Sequence, residues 1–373
     1  MCSVPSLKRR GAFCATLIRF LSLDSFSFPA NLAVMQSITI IGGGLAGLSL
    51  GTALRRHDVP VVVKEAGDYP RHRVCGEFIS GLRQETIEAL GLKDCLADAA
   101  VLRDVAWYDQ RRQLRADPLP AAAQGLSRWA LDQRIADQFL ALGGVLETGV
   151  RQDRQELPPG WVDCAGRRPA RKSPWLGLKC HVRAFQQGAD LEMHMSPQGY
   201  VGICRIENDC FNLCGLFRSA RLKPDPPQPL IFDYLQHCGF EKLLQRIDRT
   251  SVVAGSACSV AGMSYQPAEV PAGHTSLGDA QGLIPPFTGN GMTMALEYAA
   301  LALEPLLRYA RSELNWQECQ RQIARQSRRE FGRRLRVARG LHHLLTSAKL
   351  FKITAGVARS PLFPFQTFYH LTR

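Results

Sequence analysis

The sequence predicts an α/β protein: a helix-covered parallel sheet of Rossmann-like type that binds a dinucleotide, an antiparallel sheet inserted into it, and a helical C-terminus. Three observations carry this. A β-branched run, Ile38–Ile41, enters a glycine turn, a helix and a second β run, Val61–Val63. A second glycine-rich helix start, Gly289–Gly291, follows about 240 residues after the first. Between them lie short alternating runs of strand type, at Leu191–Met195, Tyr200–Ile206 and Phe211–Phe217.

The first stretch reads strand, tight turn, helix, strand, and each glycine of Gly42-x-Gly44-x-x-Gly47 has a task. Gly42 permits the turn, Gly44 lets the backbone approach a pyrophosphate, and Gly47 lets helix and strand pack closely. The helix start around Leu45 and Ala46 offers free N–H groups and the positive end of the helix dipole to the phosphates. Glu65 closes the second strand eighteen residues after Gly47, where an acidic side chain accepts hydrogen bonds from a ribose.

Composition sets outer limits. At 373 residues, 46% hydrophobic and 21% charged, the chain has an ordinary globular composition and length enough for two domains. The net charge of +13 acts through long-range attraction, but no nucleic-acid motif accompanies it, so nucleic acid is not expected as a partner. The twelve cysteines are scattered among apolar neighbours without a CxxC pair, the usage of a reducing compartment, so a cytoplasmic location is expected. Cys204, Cys210 and Cys214 sit on two strand-like runs joined by a turn at Glu207–Asp209; with no fourth ligand they read as strand packing, and no metal is expected.

Residues 1–34 differ from the rest: they are basic and rich in Ser and Phe, with an apolar run broken by Arg19 and Asp24. Such a run neither spans a membrane nor makes a good secretory segment. Two readings stand, a transit-like peptide or an upstream start with Met35 as the true first residue, and the second is favoured.

After Glu65 comes Pro70-Arg71-His-Arg73-Val-Cys75-Gly76-Glu77. Arginines there can neutralise a pyrophosphate, and Gly76 lets the backbone pass close to a flat ring. The segment resembles the one that follows the second strand in FAD-dependent oxidoreductases of the group holding aromatic hydroxylases, flavin-dependent halogenases and geranylgeranyl reductases. Its Cys-Gly pair is like the reductases, its Gly-Glu like the halogenases. The resemblance implies FAD in a glutathione-reductase-like domain, with Arg71, Arg73, Gly76 and Glu77 beside it and Cys75 as a catalytic group near the flavin ring. Ser127-Arg128-x-x-Leu131-Asp132 is similar to a stretch that supplies an arginine near FAD, which makes Arg128 a cofactor candidate, with a structural ion pair as the alternative. Ala165-Gly166-Arg167 replaces the Asp-Gly of many aromatic hydroxylases, which speaks against a hydroxylase-type nicotinamide site.

The second motif is Gly278-Asp279-Ala280, then Pro285-Pro286-Phe-Thr-Gly289-Asn290-Gly291 and a helix Met292–Leu307. Asp279 at a strand end can hold a ribose or ribityl hydroxyl, and the helix start can set N–H groups against a flavin pyrimidine. It resembles the second FAD motif of the same group.

The expected organisation is an FAD-binding domain from residues 35–95, 125–170 and 265–310. The substrate domain takes residues 96–124 and 171–264, and the helical C-terminal region takes residues 311–373. Arg321–Arg339 carries eight arginines around a stripe of Ile323, Phe331 and Leu335, read as a solvated helix face, with peripheral contact to anionic lipid as the alternative. Lys179, His181 and His194 read as strand-face residues rather than general acids. The resemblance implies a monooxygenase that hydroxylates a lipophilic or aromatic biosynthetic intermediate with NAD(P)H and dioxygen. Geranylgeranyl-reductase-like reduction of a carbon–carbon double bond, and a non-catalytic flavin-binding or scaffold protein, are the alternatives. Halogenation is disfavoured because Gly199-Tyr-Val-Gly-Ile-Cys204 stands where halogenases carry W-x-W-x-I-P.

Overall fold

The computed structural model describes residues 35–373 except 169, 171, 223–225, 267–269, 272 and 361–362. The expectation that residues 1–34 are an extension absent from the mature protein lies outside the described residues.

The chain opens with β1 (Ile38–Ile41), α1 (Leu45–Arg55), β2 (Val61–Lys64), β3 (Phe78–Ile79) and α2 (Gln84–Leu90). A hairpin, β4 (Ala100–Tyr108) and β5 (Gln113–Gly125), leads to α3 (Arg128–Ala141), β6 (Val145–Glu147) and β7 (Trp161–Asp163). Next come β8 (Trp175–Val182), β9 (Leu191–Ser196), β10 (Gly199–Arg205) and β11 (Phe211–Arg218), then α4 (Ile231–His237), α5 (Glu241–Leu244), β12 (Cys258–Ala261) and β13 (Thr275–Ser276). Four helices finish it: α6 (Gly291–Ala310), α7 (Trp316–Thr346), α8 (Ala348–Ala358) and α9 (Phe365–Leu371).

Two sheets result. The first is wholly parallel, in the order β13-β7-β1-β2-β6. Its central strand β1 is shielded on both faces, which is why it reads as a continuous β-branched run, Ile-Thr-Ile-Ile, without charged residues. Helix α1 is buried along ten of its eleven residues because it lies between that sheet and α6. Gly51 makes room there for Phe139 of α3, whose ring would come within 3.1 Å of a Cβ. Ser127 starts α3 by accepting a hydrogen bond from the Ala130 N–H at 3.0 Å.

The second sheet has the order β12-β8-β11-β10-β9-β4-β5-β3 and is antiparallel except where β4 runs alongside β9. One face, with Leu178, Val201 and Leu213, packs on α4 and α5; the other, with Met193, Tyr200 and Leu216, faces a cavity. β4 and β5 pair antiparallel as a hairpin. Asp109 makes the reversal by accepting from the Arg111 and Arg112 N–H groups at 2.7 and 2.8 Å, a turn without Gly or Pro. Cys204 and Cys214 lie on β10 and β11 with Cys210 at the turn.

Helix α7 opens with a capping box of Asn315 and Glu318. It buries Cys319, Ile323, Ser327 and Phe331, while Arg321, Arg325, Arg328, Arg329, Arg333 and Arg336 stay exposed and Arg334 pairs with Glu297 at 2.5 Å. Among the described residues no helix is long and apolar enough to cross a membrane.

Candidate cofactor slot and apolar cavity

The glycine turn is sterically fixed. Gly42 has φ +98°, and a Cβ on it would stand 2.4 Å from the Ala165 Cα. Gly47, inside α1, would put one 2.0 Å from the Gly42 carbonyl oxygen and 3.1 Å from Ile40. Gly44 is different: a Cβ there meets only the Arg128 guanidinium, at 3.8 Å. Leu48 is the first residue of α1 to donate back to Gly44, so the N–H groups of Leu45 and Ala46 have no acceptor within the helix. The loop therefore presents open backbone and free donors on one side.

The second glycine motif comes to the same place. A Cβ on Gly278, itself at φ +60°, would lie 3.2 Å from the Ala46 Cβ. The next residue, Asp279, is exposed to solvent, yet protein crowds it closely enough that burial raises its carboxyl to about 6 against the pull of Arg128 and Arg167. Both statements fit a group on the wall of an interior slot.

Along the other wall runs an ionic lattice. Arg71 pairs with Glu65 at 2.5 Å, Arg73 with Glu65 at 3.5 Å and with Asp132 at 3.1 Å, and Arg128 grips Asp132 by two bonds of 2.7 Å. Burial alone would raise the Glu65 carboxyl, but Arg73 and Arg71 outweigh it and hold the group below the usual carboxylate range. Three guanidinium groups against two carboxylates leave one surplus positive charge beside Gly44.

Several expected contacts are placed differently. Glu65 is already engaged at both oxygens, by the Gly43 N–H at 2.7 Å and by the Gly67 N–H at 3.0 Å as well as Arg71. Arg71 and Arg73, expected against a pyrophosphate, turn to Glu65 and Asp132, because carboxylates so buried require cations. Tyr69, which carried no sequence signal, donates its hydroxyl to the Gly43 carbonyl and fills the space beside that residue.

Glu77, expected beside the cofactor, is fully buried and in the left-handed region at φ +53°. It accepts from the Lys179 ammonium at 2.5 Å and the Arg128 N–H at 2.8 Å, and its other oxygen sits 2.6 Å from His181 Nε2. Burial would raise this carboxyl; Lys179 and the His181 bond reverse the effect and hold it below the usual range. Glu77 is thus the support beneath the 75–77 segment, not a contact surface. Lys179 and His181 are two apart on β8 and so share one face of the strand, a spacing that announces their partnership once a buried acid is known. His194 likewise is a packing residue, stacked on Tyr108 and bonded to Glu192. Asn290, also expected at the cofactor, turns its side chain away and donates to the Thr372 carbonyl at 2.6 Å, leaving only its backbone at the start of α6.

Next to the slot lies an apolar cavity of about 380 Å³. Cys75 and Gly76 line it from the segment after Glu65, Pro286 and Gly289 from the second glycine motif, and Met193, Tyr200 and Leu216 from the antiparallel sheet. The end of α7 with α8 and α9 forms its remaining wall. The Asn212 amide holds the Cys75 carbonyl at 3.0 Å, and a Cβ on Gly76 would have nothing within 4 Å. Burial pushes the Cys75 thiol upward, with Arg128 only partly opposing.

A glycine cradle on a parallel sheet thus stands beside an apolar cavity walled by an antiparallel sheet, a fold shared with solved flavin-dependent halogenases and a monooxygenase. The chain shares its fold with the flavin-dependent brominase Bmp2 at 17% identity and a TM-score of 0.68, over 90% of this chain and 93% of the other. PqsL of Pseudomonas aeruginosa, a probable FAD-dependent monooxygenase, aligns at 16% identity and a TM-score of 0.65 over 85% and 98%. The myxobacterial chondrochloren halogenase CndH aligns at 16% and 0.64 over 90% and 95%. No family model and no curated protein sequence matches the chain.

Proposed function

We propose that the chain is an FAD-dependent oxidoreductase that hydroxylates a lipophilic or aromatic intermediate with dioxygen, taking electrons from a reduced nicotinamide nucleotide. The observation that carries this reading is the meeting of one apolar cavity with both Cys75–Gly76 and Pro286–Gly289, the segments that the sequence resemblance sets beside a flavin ring. A solved complex of PqsL holds 2-aminobenzoylacetate, an aromatic compound, in a protein of this fold.

The residues present fit FAD. Gly42 and Gly47 admit no Cβ, Gly44 and Gly76 face open space, and the neighbouring lattice has a positive surplus suited to a diphosphate. Bound FAD would supply hydride exchange and the reduction of dioxygen. The chain's part is to hold and shield it. The Leu45 and Ala46 N–H groups with Arg128 would hold the diphosphate, Asp279 would accept from a hydroxyl, and the N–H groups of the Gly291 helix start would be available to the flavin. The cavity's apolar walls exclude water, which keeps reactive oxygen species from being lost before they meet substrate.

A second reading rests on Cys75. A thiol kept protonated by burial on the cavity wall can give its proton to one carbon of a double bond that receives hydride at the other, the thiolate then recovering a proton from water. Anaerobic reduction followed by oxygen separates the two. Hydroxylated product supports the first reading; a saturated product whose formation slows in Cys75→Ala supports the second. Protein that is colourless and cannot be reconstituted with FAD sinks both and leaves the scaffold alternative.

Asp279→Ala tests the cofactor contact alone. Losing a carboxylate–hydroxyl bond is expected to weaken FAD binding by about tenfold to a hundredfold, read by flavin fluorescence titration, without moving the unfolding midpoint of the apoprotein. Unchanged affinity would show that the second motif does not hold FAD.

A further inference from the structure

From residue 331 to residue 373 the chain has eight Lys and Arg and no Asp or Glu. In that stretch Leu344, Ile353 and Val357 are exposed large apolar side chains, Ile353 by 62% and Val357 by 54%, and all three also line the apolar cavity. Ile353 and Val357 stand one turn apart on α8, with Lys349, Lys352 and Arg359 exposed around them. The cavity thus opens through a greasy rim set in a cationic surface.

We propose that α8 docks the protein on an anionic lipid surface, with Ile353 and Val357 inserted at the acyl boundary and Lys349 and Lys352 at the headgroups. A lipophilic substrate then passes from bilayer to cavity without entering water. This rests on the cavity being the substrate site. Charge selects the occupant: a second copy of the chain would set the exposed Lys349, Lys352 and Arg359 against their own counterparts, which is repulsive, whereas phosphate headgroups complement them. Since no described helix is long and apolar enough to cross a bilayer, the contact lies in the interfacial plane. The Arg-rich part of α7, for which the sequence offered lipid contact only as the alternative to a solvated face, lacks the second ingredient. Its apolar stripe of Ile323 and Phe331 is spent on the core, and none of its large apolar side chains is exposed.

Flotation of the full-length, flavin-loaded protein with phosphatidylcholine vesicles, with and without phosphatidylglycerol, tests this. The protein is expected to float only with the anionic lipid and to be released by salt. Lys349→Gln with Lys352→Gln should lower the partition coefficient by about thirtyfold, and Ile353→Asp with Val357→Asp should release it too. Flavin absorbance and the thermal midpoint, read on every variant, report that the fold is intact. Wild-type protein that stays behind, or variants that float as well as wild type, overturn the proposal. Docking that fails with flavin retained leaves the oxidoreductase reading standing, while protein that floats without ever binding flavin removes that reading and keeps the docking surface.

Discussion

Gly42→Ala is expected to destabilise the protein by about 3–5 kcal/mol and to abolish FAD binding, the combined effect of left-handed strain and a backbone clash. The new Cβ would stand 2.4 Å from the Ala165 Cα and 2.5 Å from the Cys164 carbonyl oxygen. Neither atom can retreat readily, because the Cys164 N–H is bonded to Ile41 at 2.7 Å in the parallel sheet. Room could be made only by parting β1 from the end of β7, which would also widen the cradle. Gly44→Ala is the matched control. That residue has φ −86° and open space on its outer side, so the change should cost under about 1 kcal/mol in stability. It nevertheless places a methyl group where the backbone must approach a phosphate, so FAD affinity should fall. Urea midpoints of the two apoproteins with flavin titrations check both. A Gly42→Ala protein as stable as wild type would refute the turn geometry.

That pair shows which parts of the site a sequence discloses. Gly42 and Gly47 are legible because their requirement is local: a turn and a helix–strand contact within six residues of one another. Glu65 is legible as an acid at a strand end, but its partners are not, since Arg71 and Arg73 reach it by side-chain rotamers that no spacing encodes. The second motif could be named from its glycines, yet its meeting with Ala46 depends on α6 packing on α1, a contact between residues about 230 apart in the chain. Least visible was the cavity. The apolar residues of β9 alternate with polar ones as those of any half-buried strand do, and the pattern cannot tell a face that packs on helices from one that walls a binding space. α8 and α9 close that space, and the sequence assigned them only to a helical tail.

Lys179→Met should destabilise the protein by about 3–5 kcal/mol, because it leaves Glu77 as a buried carboxylate without its principal cation. Adding Glu77→Gln should recover roughly 2 kcal/mol of that loss, since an amide in the same place needs no counter-charge. A double-mutant cycle by urea unfolding measures the coupling, and pH gives it a sign. In the wild type the folded carboxyl lies below its unfolded value of about 4.3, so its stabilising contribution is complete above that value and disappears as pH falls through the folded one. In Lys179→Met, burial dominates and the folded value moves above the unfolded one. Stability then decreases as pH rises past about 4.3, and the deficit against wild type grows from pH 5 to pH 8. A deficit constant across that range would mean that Glu77 is not held as an anion by Lys179. The network also bears on function. Glu77 accepts the Arg128 N–H that opens α3 and ends the segment carrying Cys75 and Gly76, so the folded fraction of Lys179→Met should bind FAD more weakly than wild type. The glycine cradle and the cavity wall therefore share one buried ion pair, and loosening it should loosen both ends of the flavin together.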